Sequence, residues 1–240
     1  MMKKIYQEIR SAKAENRKLL AILLDPDKVE MNNLAFLVDK IKESPATHIF
    51  VGGSFVETNK IDQLVTFLKE NLTQPIVLFP GNPSQISTFA DGILFLILLS
   101  GRNPDYLIEH HVHSVSVLKK STLEIISTGY ILIESGSQTA VERISKTKPL
   151  ERNNVQYVCQ TAKAGEYLGN KLIYLEAGSG AKFPVPLELI NAVSEEISIP
   201  LIVGGGIRSQ IAIQDAYDAG AYLVVIGTAF ENDLNFFNHD

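Results

Sequence analysis

The sequence predicts an α/β fold, a single-domain (β/α)8 TIM barrel over residues 1–240. Three observations predict it. Short apolar runs alternate with longer amphipathic segments along the whole chain, as successive βα units do. Those runs are unbroken Val/Ile/Leu stretches, the pattern of parallel strands covered on both faces. The turn after the first run, Asp25-Pro26-Asp27-Lys28, carries charge where an open doubly wound sheet usually carries glycines. About eight runs are present, and eight parallel units joined by crossovers close naturally into a barrel.

Each element follows from local pattern. Residues 19–25 read as the first strand and 31–43 as a helix; 48–53 and 60–71 repeat the pair. Residues 75–80 are a third strand, followed by a short Pro/Ser/Gln segment, 81–89, where a full helix is expected. One helix is therefore shortened or missing after strand three. A fourth strand at 92–99 leads to a helix at 104–120, opened by Pro104, whose missing N–H costs nothing at a first turn. A fifth strand at 129–134 is followed by the longest polar connection, 134–154, which suits either a solvated loop or a lid over the barrel mouth. A helix at 153–168, strands at 172–176, 201–203 and 223–226, and helices at 186–196 and 210–219 complete the pattern.

Composition narrows the functions. With 240 residues, 45% of them hydrophobic, the chain can bury a core without staples. Net charge is −5 with no long basic run, which argues against nucleic acid as a partner. Residues 1–20 are mixed, charged and helical, without an apolar signal core. The longest apolar run, 93–99, is far short of the roughly 20 residues that span a bilayer, so no transmembrane segment is expected and the cytoplasm is the expected compartment. The single cysteine, Cys159, excludes an intrachain disulfide and reads as core filler.

On this fold the active site lies at the C-terminal ends of the strands, so polar residues just after each apolar run are the candidates. Asp25-Pro26-Asp27-Lys28 places two carboxylates and an ammonium there; it can hold Mg²⁺ against a diphosphate, or serve simply as a turn. Gly52-Gly53-Ser54 adds close backbone approach and a hydroxyl, and is a weak signal alone. Tyr174-Leu175-Glu176-Ala177-Gly178-Ser179-Gly180 combines a candidate base with a glycine-rich phosphate loop. Gly204-Gly205-Gly206-Ile207-Arg208, with Gly227-Thr228, supplies glycine loops after the two strands where barrels of this kind often bind phosphate. His110, His111 and His113 share a helix expected on the outer ring, away from the strand ends; His110 and His113 share a face, but no third metal ligand accompanies that pair.

Taken together, Leu23-Leu24-Asp25-Pro26-Asp27-Lys28, Gly52-Gly53-Ser54, Tyr174 through Gly180 and Gly204 through Arg208 resemble the geranylgeranylglyceryl phosphate synthase family, including its bacterial PcrB-type members. Residues 100–106 after the fourth strand resemble the family as well. Each motif is common alone; the ordered set is specific and covers essentially the whole chain. The resemblance implies transfer of a long prenyl group, geranylgeranyl first, from its diphosphate to the 3-hydroxyl of sn-glycerol 1-phosphate. It implies Mg²⁺ as cofactor, with Asp25 and Ser54 as ligands. It implies Tyr174, Leu175, Glu176, Ala177, Gly178, Ser179, Gly180, Gly205, Gly206, Gly227 and Thr228 as the glycerol phosphate site.

In the resulting mechanism Glu176 orients the acceptor hydroxyl and takes its proton, Tyr174 helps to place it, and Lys28 adds a positive contact to the leaving group. Phe55, Phe79, Leu98, Leu99 and Tyr106 are candidate walls of an apolar groove, with the short 81–89 segment opening a gap for the tail. Association into a homo-oligomer is expected. The rival readings are a longer, heptaprenyl donor, a phosphate-binding isomerase or flavin oxidoreductase, and a non-catalytic phosphate-ligand binder.

Overall fold

The computed structural model describes residues 5–53 and 58–238. Its centre is a closed ring of eight parallel strands in sequence order, β1 to β8. They are β1 (Leu19–Leu24), β2 (His48–Val51), β3 (Ile76–Leu78), β4 (Gly92–Leu98), β5 (Glu124–Leu132), β6 (Leu172–Glu176), β7 (Leu201–Gly204) and β8 (Leu223–Ile226). β8 closes onto β1 with Leu19 opposite Leu223 and Ile22 opposite Ile226.

Alternation along each strand divides the core into two layers. Leu19, Ala21, Phe50, Val77, Leu94, Tyr130, Tyr174, Ile202 and Val225 fill the barrel interior. Leu20, Ile22, Leu24, Ile49, Val51, Leu175 and Val203 point outward against the surrounding helices. Burying one such Leu or Ile on either layer contributes roughly 1.5–3 kcal/mol, and both layers are needed because neither face meets water.

The helices are α1 (Ile5–Ala14), α2 (Leu34–Glu43), α3 (Thr58–Asn71), α4 (His110–Leu118), α5 (Ala140–Ser145), α6 (Val155–Tyr167), α7 (Leu187–Glu196), α8 (Gln210–Asp218) and α9 (Thr228–Asn232). α1 seals the bottom of the barrel: Ile5, Ile9 and Ala12 join the interior layer. The Glu124 carboxylate accepts the N–H groups of Ile5 (2.5 Å) and Tyr6 (3.1 Å), satisfying donors that the first helical turn leaves free. No helix among the described residues is long and apolar enough to cross a membrane.

One expectation is met and two departures from the sequence reading matter. After β3 the expected helix is indeed replaced, by a single 3₁₀ turn at Pro83–Gln85, where Pro80 and Pro83 withhold backbone donors. The helix after β4 begins as a π-helical turn, Asp105–Glu109, before α4 proper. β5 starts at Glu124 rather than residue 129: its first half pairs with β4 alone, and β6 joins from Thr128. Polar Ser127 and Thr128 interrupt the apolar run there, yet both are satisfied, Ser127 by the Asn170 side chain (2.8 Å) and Thr128 by the Ile126 carbonyl (3.0 Å).

Candidate functional site

The C-terminal ends of the strands enclose one polar mouth. β1 delivers Asp25, whose backbone carbonyl accepts the N–H groups of Lys28 (2.9 Å) and Val29 (3.1 Å), forming a tight turn. One Asp25 carboxylate oxygen takes the Asp27 N–H (3.1 Å) and the other stands 3.8 Å from the Lys28 ammonium. Burial raises the Asp25 pKa, opposed by the Asp27 N–H and Lys28 and reinforced by the negative charges of Glu231 and Asp27. Lys60 pairs with Asp27 at 3.2 Å.

β2 leads into two glycines, Gly52 and Gly53, that pack closely against their neighbours. A Cβ on Gly52 would lie 2.0 Å from the Phe79 carbonyl oxygen, and one on Gly53 only 2.8–3.0 Å from the Asp25 carboxylate. Glycine at 53 therefore leaves a face of Asp25 uncovered toward the mouth, space and charge that suit a small divalent cation with oxygen ligands. Ser54, the second expected metal ligand, lies outside the described residues, as does Phe55.

β6 supplies the buried acid. Glu176 sits between Leu132 of β5 and Gly204 of β7 and is 5% exposed. Its Oε1 accepts the Gly178 N–H at 2.6 Å. Burial pushes its pKa from 4.5 up to about 7, against the opposing pull of the Gly178 N–H and the Tyr174 hydroxyl. That hydroxyl is buried without a well-aligned hydrogen-bond partner. Burial, followed by the charge of Glu176, raises the pKa of Tyr130 and of Tyr174 well above the usual phenol value, so both remain neutral. Gly205, at φ 81°, has no alternative residue: a Cβ there would fall 2.2 Å from Glu176 Oε1.

The wall of the mouth includes Asp25, Lys28, Tyr174, Glu176, Gly178, Ser179, Gly180, Gly205, Gly206, Gly227 and Thr228. The acidic turn of β1 and the glycine loops of the last three βα connections thus face a common space. Of the expected set, Leu175 and Ala177 do not turn their side chains to the mouth. Strand alternation turns the Leu175 side chain into the outer layer, Ala177 packs there too, and the Ala177 N–H is already bonded to the Gly204 carbonyl (3.0 Å). Tyr130 and Glu231, which the sequence reading did not select, also line the mouth, as do Phe79, expected as a groove wall, and Arg208 at the end of the glycine loop. Arg208 donates to the Ala181 (2.6 Å) and Lys182 (3.2 Å) carbonyls, tying the loop after β7 to the loop after β6. Glu231 accepts the Asp25 N–H and the Lys28 ammonium, both at 3.0 Å.

A second, strongly apolar cavity opens beside the mouth where the helix after β3 is missing. Phe79, Pro83, Ile86, Phe95, Leu96, Leu98 and Tyr106 line it, and Val141 and Ile144 of α5 close its upper side. Gly53, Phe79, Tyr130 and Val141 belong to both cavities. At this junction the rings of Phe79, Tyr130 and Tyr174 pack together with centroids 5.4–5.9 Å apart.

Of the expected groove walls, Phe79, Leu98 and Tyr106 line this cavity, whereas Leu99 turns to the outer layer against Gly129 and Gly165. The histidines also need correction. His110 and His111 line the groove instead of standing clear of it, because the π-helical turn brings the helix onto β4. His111 Nε2 bonds the Leu96 carbonyl (2.8 Å) and its ring stacks edge-on against Phe95. No group of three or more metal-ligating side chains occurs among the described residues.

The 134–154 connection roofs both cavities. Its helix α5 carries a capping box between Thr139 and Glu142. Its ends are tied down by Glu134 N–H to Leu150 O and Leu150 N–H to Leu132 O, each 2.9 Å, and Asn103 bonds the Ser145 carbonyl at 2.8 Å. Thr139 fits against Gly178 so closely that a Cβ there would meet it at 2.3 Å.

Comparison with known proteins agrees with this geometry. The sequence model of the PcrB family matches residues 12–238. Geranylgeranylglyceryl phosphate synthase of Flavobacterium johnsoniae is 63% identical over 98% of this chain and 96% of its own. The synthase of the same name from Zunongwangia profunda is 51% identical over 96% of this chain and 98% of its own. Among solved structures, (S)-3-O-geranylgeranylglyceryl phosphate synthase of Thermoplasma acidophilum, in complex with its substrate sn-glycerol 1-phosphate, superposes with a TM-score of 0.92 at 29% identity, covering 99% of this chain and 95% of that one.

Proposed function

The chain belongs to the PcrB family, and from that premise we propose that it is a prenyltransferase joining a geranylgeranyl group to the 3-hydroxyl of sn-glycerol 1-phosphate, with release of pyrophosphate. The observation that carries this reading is the pairing of a polar mouth with an apolar groove across one shared wall, Gly53, Phe79, Tyr130 and Val141. A prenyl diphosphate has the same division: an anionic head, a hydrocarbon tail, and the reacting carbon between them. Each buried CH₂ contributes roughly 0.8 kcal/mol, so a twenty-carbon tail supplies ample affinity after ordering costs.

On this reading the glycerol phosphate lies in the glycine loops after β6, β7 and β8, held by main-chain donors and the adjacent Arg208. Glu176 orients the acceptor hydroxyl. As the allylic C1–O bond breaks, its electron pair leaves with the diphosphate, and the hydroxyl oxygen bonds C1 while its proton passes to Glu176. A carboxyl titrating near 7 is matched to that task at neutral pH, being ionised often enough to accept and basic enough to hold the proton. Tyr174, a neutral phenol beside Glu176, restrains the carboxylate. Lys28 faces the leaving group at the rim.

We propose that Asp25, with Ser54 by family resemblance, holds Mg²⁺. Bound there, the ion supplies charge neutralisation for the diphosphate.

Incubation with labelled sn-glycerol 1-phosphate, Mg²⁺ and geranylgeranyl diphosphate is expected to yield a prenyl ether. Glycerol 3-phosphate is expected to react poorly, and C15 and C35 donors run in parallel report chain preference. Absence of ether product from every donor ends the reading. We also propose that copies associate through α4 and the π-helical turn before it, where Ile108, Val112 and Val115 form an exposed apolar stripe on the side away from the groove. Sedimentation of the wild type against Val112→Glu tests it, and a wild type that sediments as a monomer refutes it.

A further inference from the structure

We propose that Glu231 is a positioning residue that holds Lys28 off Asp25 and so keeps the Asp25 carboxylate open to a divalent cation. The inference rests on the reading above and concerns how its donor half-site is assembled. Glu231 lies in α9, one turn beyond the Gly227-Thr228 part of the phosphate cradle. Its side chain is only 10% exposed, and its two oxygens are divided: Oε1 accepts the main-chain N–H of Asp25 and Oε2 accepts Lys28 Nζ, each at 3.0 Å. A single carboxylate therefore fixes the backbone of the metal-binding residue and the ammonium beside it.

Among the described residues, Lys28 has two anionic destinations within reach. It occupies the first, Glu231, at 3.0 Å, while Asp25 Oδ2 stands at 3.8 Å. The third nearby carboxylate, Asp27, is engaged by Lys60 at 3.2 Å. A lysine ammonium on a flexible four-carbon stem moves to whichever partner remains. With the negative charge at 231 removed, it settles on Asp25, three residues away on the same turn. There it neutralises the carboxylate and occupies the face that Gly53 leaves uncovered. The ammonium then competes directly with the cation. Because the same glutamate belongs to the helix that follows the phosphate loop, it also ties the donor rim to the acceptor cradle.

The test is titration of the full-length protein with Mn²⁺ alone, as a paramagnetic stand-in for Mg²⁺, followed by electron paramagnetic resonance. Glu231→Gln, close in shape, is expected to weaken Mn²⁺ binding about tenfold, a coupling of ordinary size for charges in contact. Adding Lys28→Met to it removes the competitor, and affinity is expected to return to within about threefold of wild type. Lys28→Met alone is expected to bind Mn²⁺ at least as tightly as wild type, and it keeps the test informative should Glu231→Gln fail to fold. Wild-type affinity in a folded Glu231→Gln overturns the inference, as does a double variant as weak as the single one, or a Lys28→Met variant that has lost affinity. Any of these results in a preparation whose wild type makes prenyl ether refutes the role of Glu231 only. A wild type that neither binds Mn²⁺ nor needs a divalent cation for transfer removes the metal reading itself.

Discussion

Replacing Glu176 by Gln should make the protein more stable while it disables the reaction, and the size of the gain is set by the carboxyl's burial. In the folded chain Glu176 titrates near 7 instead of 4.5, chiefly because its charged form is desolvated. Between those values the folded state holds a proton that the unfolded chain has released, so stability falls as pH rises across this window. The cost is absent below pH 4.5 and complete above about 7, where it reaches roughly 3 kcal/mol. Glutamine is uncharged at every pH, and its side-chain oxygen retains the acceptor position for the Gly178 N–H. Losing the charge-assisted character of that bond offsets part of the gain, leaving an expected stabilisation of about 2 kcal/mol at pH 8 and none at pH 4.5. Urea unfolding of both proteins from pH 4.5 to 8 measures the difference, and contributions from all other titrating groups cancel. A difference that is flat across this range, or that favours the wild type at pH 8, refutes the burial argument. In the same samples kcat should fall about a hundredfold or more, as expected for removal of a general base.

Three further outcomes follow from the same geometry. The wild-type kcat/KM for glycerol phosphate should rise with pH through a pKa of about 7 and then level, since the base acts only when ionised; a profile flat from pH 5.5 to 8.5 excludes Glu176 from that role. Gly205→Ala forces a methyl to within 2.2 Å of Glu176 Oε1 at a backbone angle of φ 81°, so it should destabilise by about 1–3 kcal/mol and weaken glycerol phosphate binding at least tenfold by calorimetry. Ile86→Asp places a charge in the apolar groove and should raise KM for the prenyl donor by about tenfold or more with little change in glycerol phosphate affinity; equal effects on both substrates contradict the division into two cavities.

The parts legible in the sequence are those written in contiguous residues. Unbroken apolar runs marked the strands because both faces are buried, and the residue after each run marked the mouth. Asp25, Glu176, Gly205 and Gly227 were found by that rule and stand around one space. The gap after β3 was equally visible, since Pro80 and Pro83 deny the segment a helix. What escaped notice depends on side-chain direction or on distant pairing. Leu175 belongs to a motif by its letter, but period-two alternation turns its side chain away from the mouth. Leu99 lies one residue beyond Leu98 and faces the opposite layer for the same reason. The histidines were misplaced because a π-helical turn adds residues per turn and rotates all that follows, which no helical-wheel reading anticipates. Glu231 sits in a five-residue helix too short to give a periodic signal, and its partners, Asp25 and Lys28, lie more than 200 residues earlier in the chain.

The absence of a helix after β3 has a thermodynamic consequence. Elsewhere in the barrel most strand residues are wholly covered, but Phe95 of β4, on the outer layer, is left partly exposed to the groove where that layer is interrupted. On the proposed reading, a hydrocarbon tail lying there would do the work of the helix the polypeptide omits, and the donor would act as a detachable piece of the fold. Any inert lipid of matching girth should therefore raise the melting temperature progressively with its free concentration, and the chain should be least robust just after its product departs.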